Sequence, residues 1–151
     1  MANVKLTAKT QLSTAPEYND QVMIVDTSDT TGDASGTSKR QLVVDFLKHD
    51  LRSITGTTDT LVITDANAFI KCNNTGGALT ITVPLNSSVA FEIGTKISFW
   101  RNHTNTVTFS PASGSVVIAS RGGSLTTSVR YSVVHLLKVQ ANGWLLYGDL
   151  G

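Results

Sequence analysis

Leu79-Thr80-Ile81-Thr82-Val83-Pro84 alternates apolar and polar residues without a break and then stops at a proline. Successive strand side chains point to opposite faces, so the pattern places Leu79, Ile81 and Val83 on one side and Thr80 and Thr82 on the other. Proline cannot donate to a ladder and closes the segment. Upstream, Leu61-Val62-Ile63 and Phe69-Ile70-Lys71-Cys72 flank the turn formers Asp65-Ala66-Asn67. Downstream, strands are expected at Thr95–Arg101, Thr106–Ser110, Val116–Ala119, Leu125–Ser128, Val133–Val139 and Trp144–Tyr147. Asn142-Gly143 reads as a two-residue type I′ hairpin turn, because both residue types accept positive φ. Short strands at this spacing imply a mainly β fold, an antiparallel β-sandwich or jelly-roll over residues 57–151. No 20–50-residue internal repeat is visible, so a solenoid or propeller is not expected.

Composition points the same way. Of 151 residues, 15% are charged and 40% hydrophobic, against roughly 25% charged in an average soluble chain. Thr and Ser fill the difference, and Thr suits a pleated, half-covered surface. The formal net charge is +1, and the longest basic run is the pair Lys39-Arg40, which gives no footprint for nucleic acid. No apolar run approaches the roughly 20 residues a spanning helix needs, and Met1-Ala2-Asn3-Val4-Lys5 has no secretory core, so neither membrane insertion nor export is expected. Cys72 is the single cysteine; it cannot form an intrachain disulfide and reads as a small buried apolar residue.

Residues 1–56 differ from the rest. They carry most of the acidic residues and read as an N-terminal arm. Gln21-Val22-Met23-Ile24-Val25-Asp26 is a β-branched strand candidate, and Thr27–Thr37 is a loop. Ser38-Lys39-Arg40-Gln41 matches a capping box, with Leu42, Phe46, Leu47 and Leu51 at helical spacing, which predicts a short helix over 38–51. From Glu17 to Asp33 there are five acidic residues and no Lys or Arg.

Catalytic chemistry is hard to find. His49, His103 and His135 lack neighbours at metal-ligand spacing. In the β region Asp59, Asp65, Glu92 and Asp149 show no pairing pattern for glycoside hydrolysis and read as solvated turn carboxylates. Gly76-Gly77 and Gly122-Gly123 are not followed by a helix that could cradle phosphate. The sequons at Asn73, Asn86 and Asn102 read as chance matches. No cofactor is implied. Strand aromatics beside the polar loop Trp100-Arg101-Asn102-His103 make those four residues a candidate glycan contact.

Tyr18–Thr27, followed by Gly36-Thr37-Ser38-Lys39-Arg40-Gln41-Leu42, resembles the N-terminal modules of bacteriophage fibre and tail proteins. Leu61–Ala66, Gly77–Pro84 and Phe91–Ile97 are similar to a β domain of phage virion appendages, and Asn142-Gly143-Trp144-Leu145-Leu146-Tyr147-Gly148-Asp149-Leu150 resembles its closing hairpin. The resemblance implies a non-enzymatic virion structural protein of the tail-fibre, head-fibre or decoration type, made in the host cytoplasm. It implies a homotrimer with capsid, portal or tail proteins as partners. On that reading the arm docks on the particle through Val22, Met23, Ile24, Val25 and Asp26 by adding a strand to a partner sheet, unless that strand pairs within its own trimer. A receptor-recognising tip that binds cell-surface glycan is the alternative, and a glycan hydrolase is a more distant one.

Overall fold

The computed structural model describes residues 21–26, 37–42 and 49–151. The chain divides into two units, Met1–Lys48 and His49–Gly151. In the first, β1 (Gln21–Asp26) pairs antiparallel with β2 (Thr37–Leu42), Val22 opposite Gln41 and Ile24 opposite Lys39. The strand expected at 21–26 is present. The helix expected over 38–51 is not what these residues form: 37–42 is strand, Leu51 opens another strand, and residues 43–48 lie outside the described ones. Thr37 and Ser38 suit a strand as well as a helix start, and their pairing with β1 decides the outcome. Residues 49–56, expected in the arm, belong to the second unit.

That unit is mainly β, but its ladders correct the expected antiparallel sandwich. The strands β3 (Leu51–Ile54), β5 (Phe69–Cys72) and β7 (Lys96–Arg101) pair in parallel in one sheet; β4 (Thr58–Thr60), β6 (Leu79–Val83) and β8 (Val107–Pro111) pair in parallel in another. The chain thus winds three times, β3–β4, β5–β6 and β7–β8, as a short β-solenoid does. Leu51 stacks on Phe69 and Phe69 on Ser98, so one turn takes 18 residues and the next 29. Unequal turns erase any fixed period, which is why no repeat is visible in the sequence.

The first sheet continues through β9 (Val117–Ser120), β10 (Val133–Gln140) and β11 (Gly143–Gly148) in the order β3-β5-β7-β10-β11-β9. The segment expected as a strand at Leu125–Ser128 makes only isolated bridges, Thr126 to Thr108 of β8 and Thr127 to Leu150. Leu61-Val62-Ile63 is not a strand and leads into a 3₁₀ turn, Ile63–Asp65. The final hairpin exists, but its loop is Ala141-Asn142. Gln140 pairs with Gly143 across a bulge, and neither Asn142 nor Gly143 has positive φ.

Inward positions form apolar columns: Ile70, Phe99 and Val134; Ile97, Leu136 and Leu146; Ile81 and Phe109. Phe99 and Phe109 meet edge to face across the two sheets at 4.9 Å. In the first turn the same columns carry Arg52 and Asp59. There Arg52 forks onto Asp59 (2.6 and 3.1 Å) and reaches Asp65 (2.7 Å), so an ion-pair cluster closes this end of the core. Asp65, expected as a solvated carboxylate, is 1% exposed. Side-chain amides hold one corner of the winding: Asn102 donates to Asn73 (2.9 Å) and Asn105 to the Asn74 carbonyl (2.8 Å).

Candidate functional site

The outer faces of the two sheets differ sharply. On the three-stranded sheet the outward ladders are Thr58-Thr80-Thr108 and Thr60-Thr82-Ser110, a small polar surface at home in water. On the six-stranded sheet one ladder runs Leu51-Phe69-Ser98-His135-Tyr147, and the next runs Lys96-Leu137-Leu145-Ala119. Leu51 is 72% exposed, Tyr147 39% and Leu145 38%. Within this unit no element covers the face. At its centre Ser98 Oγ lies 2.9 Å from His135 Nδ1, and the His135 ring packs tilted on Tyr147 at 5.2 Å. Burial and then Lys96 lower the His135 pKa, which favours the neutral ring. Among the described residues no carboxylate hydrogen-bonds to either member of the pair, the third part of a hydrolytic triad.

A third outward ladder, Ser53-Lys71-Trp100-Val133, lies at the margin of this face. Trp100 is half-buried, with Lys71 Nζ 5.5 Å from its ring and Tyr131 stacked on it at 6.5 Å and 25°. Tyr131 sits in the turn Val129–Ser132, closed by the Ser132 N–H to the Val129 carbonyl (3.1 Å). Its φ of 72° is left-handed, the third position of a type II turn, where glycine is usual. The Arg130 guanidinium also lies over the Tyr131 ring, 4.6 Å from its centroid. Beside the turn opens a cleft of about 490 Å³, lined by Arg121, Arg130, Tyr131, Ser132 and Asp149.

The four residues expected as a glycan contact separate here. Trp100 points outward. Arg101 is 7% exposed and donates to the carbonyls of His103 (3.3 Å), Thr127 (3.3 Å), Ser128 (2.9 Å) and Thr104. Its own carbonyl accepts the Tyr131 N–H at 2.8 Å. It is therefore a clamp that positions the Tyr131 turn and cannot contact a ligand, because strand alternation turns it inward beside outward Trp100. Asn102 is engaged in the amide corner and accepts Arg130 Nε at 3.1 Å. His103 Nδ1 faces the Asn105 N–H at 3.4 Å, away from the stack. Tyr131, Arg130 and Arg121 were missed; the signal is Val129-Arg130-Tyr131-Ser132 itself, a turn whose third position holds an aromatic. No family model matches the sequence, and no curated protein matches it.

Cys72 is buried, and desolvation pushes its thiol up to about 12, away from the reactive thiolate. Asp59 and Asp65, expected to be unconnected, share Arg52, which holds both as ion-pair partners rather than as a free acid and base. Among the described residues no group of three or more His, Cys, Asp or Glu is placed to hold a metal ion, and no helix is long and apolar enough to cross a membrane. Of the expected docking residues, Val22–Asp26 form β1, one edge of which β2 already occupies.

Proposed function

We propose that this chain is a non-catalytic structural component of a bacteriophage particle, of the tail-fibre, head-fibre or decoration type. The arm docks on a capsid, portal or tail protein, and the β unit assembles as a homotrimer through the outer face of its six-stranded sheet. The observation that carries this reading is the contrast between the two outer faces. A monomer in water gains from Thr/Ser ladders on both; it gains nothing from Leu51, Phe69, Leu137, Leu145 and Tyr147 in adjoining rows on one. The size fits as well. Six strands at about 4.8 Å and about five residues at 3.3 Å present roughly 500 Å² of flat face, the scale of the ~800 Å² of accessible surface per partner in a standard interface. Of the lysines on this face, Lys71 holds its Nζ 5.5 Å from the Trp100 ring centroid, a cation–π contact.

The virion assignment is supported by the order of the resembling segments, and a winding β unit with a separate N-terminal hairpin suits a projecting appendage. Light scattering on the full chain tests the assembly. A mass of three 16.1 kDa chains is expected, falling toward one chain in Leu145→Glu. A wild-type mass of one chain at micromolar concentration would overturn the assembly.

A further inference from the structure

We propose that the outer face of the six-stranded sheet is an acid-sensitive interface between copies of this chain, with His135 as the group that releases it. The switch depends on the trimer proposed above and adds a condition under which that trimer comes apart. It stands first on position. His135 lies on β10, the fourth of six strands, in the ladder Leu51-Phe69-Ser98-His135-Tyr147. Along its own strand the next outward residues are Val133 and Leu137, and Leu137 is paired with Leu145. A second copy seated over this face removes the imidazole's water.

The groups around the ring favour its neutral form. Ser98 Oγ lies 2.9 Å from Nδ1, and among the described residues Nε2 has no hydrogen-bond partner. A neutral ring has one N–H to place, whereas the imidazolium has two. From β11 the ring meets Tyr147, 5.2 Å away between centroids. From β7 the charged neighbour is Lys96, and from β5, one strand further, it is Lys71. The carboxylate that follows β11, Asp149, is turned to the Val133 N–H at 3.5 Å. A proton added to His135 thus meets a lysine on the next strand and no carboxylate bonded to the ring. Desolvation and then Lys96 already hold its pKa below the ordinary 6.5, and closing the interface deepens the desolvation. Lys96 itself is exposed, and its long stem can carry the ammonium to the rim of an interface. An imidazole held between Ser98 and Tyr147 has no such reach.

Because the ring is held neutral in the assembled face, the separated chain binds the extra proton more readily. Assembly is therefore complete above the ordinary value of 6.5 and is lost as pH falls below it. Three chains take up three protons, so the dissociation constant of the trimer should rise by up to about a thousandfold per pH unit in that window. Light scattering on the full chain at about pH 8 and about pH 5 reads the switch, with circular dichroism to follow the fold. Wild type should be a trimer at the higher pH and separate, still folded, at the lower. His135→Gln and the apolar His135→Phe, neither of which can be charged, should hold one mass at both. Wild type that keeps its trimer at both pH values overturns the switch and leaves the trimer standing. Wild type that unfolds in acid rather than separating overturns it too, as do variants that separate in acid as wild type does. A wild-type mass of one chain at the higher pH overturns the trimer, and the switch with it.

Discussion

Replacing Asp65 with Ala tests the idea that an ion-pair cluster closes the first turn of the winding. Asp65 Oδ2 accepts the Val62 N–H at 2.9 Å and Arg52 Nη2 at 3.2 Å, and Oδ1 lies 2.7 Å from Arg52 Nε. Truncation leaves the Val62 amide without its acceptor, worth about 1–3 kcal/mol when buried. It also leaves Arg52 with Asp59 alone. The Arg52 side chain is about one-third exposed, so this lost pairing adds only about 1 kcal/mol, the upper end for pairs open to water. The sum is roughly 2–4 kcal/mol, overlapping the 3–5 kcal/mol seen when a fully buried pair is broken. Asp59→Ala, at a more exposed position with no backbone amide to satisfy, should cost about 1 kcal/mol or less. Urea denaturation of the full chain, followed by circular dichroism, measures both. A loss below about 1 kcal/mol for Asp65→Ala, or one no larger than for Asp59→Ala, would refute the cap.

Gly148→Ala should cost about 2–4 kcal/mol, because φ is 120° there and a Cβ would sit 2.5 Å from the Val133 carbonyl oxygen and 2.9 Å from Val134 Cα; an unchanged melting temperature would contradict the close approach of β11 to β10. Lys138 is 2% exposed, with Nζ bonded to Asn86 and 5.6 Å from the Trp144 ring centroid. Desolvation lowers its pKa, opposed by Glu92, so the unfolded chain binds more protons once pH exceeds the folded value. Wild type should therefore gain stability as pH rises toward the ordinary lysine pKa of about 10.4, and Lys138→Met should lack that gain. Parallel melting curves at rising pH would show it, and identical slopes would sink it.

Most strands from Phe69 onward, Leu125–Ser128 excepted, are legible because their alternation is strong: Leu79–Val83 is the strand read from the sequence, residue for residue. The pairing is not legible, since period-two alternation is common to parallel and antiparallel ladders and the turns of 18 and 29 residues hide their kinship. The better clue was polar. Asn73-Asn74 follows Cys72, and Asn102 follows Arg101, at positions that stack as a corner, but in isolation each reads as a chance sequon. The helix expected at 38–51 failed because Ser38 and Gln41 satisfy a capping-box pattern that says nothing of a partner strand. At the candidate site, Trp100 is legible as an outward-facing strand aromatic. Arg101 is not legible as a buried clamp, because its carbonyl partners at Thr127 and Ser128 lie far along the chain, and nothing in a lone tyrosine signals the positive φ of Tyr131.

The virion assignment is tested most directly on particles. Phage assembled with tagged full-length chain, or with residues 49–151 alone, is purified by gradient and its peptides counted by mass spectrometry. The account predicts the full chain on intact particles in multiples of three, its attachment weakening with salt because the acidic stretch from Glu17 to Asp33 is screened. Residues 49–151, which hold their own core, should form the trimer yet stay off the particle. Full-length chain found only in the unassembled fraction would contradict the assignment, and residues 49–151 on particles at full occupancy would move docking from the arm to the β unit.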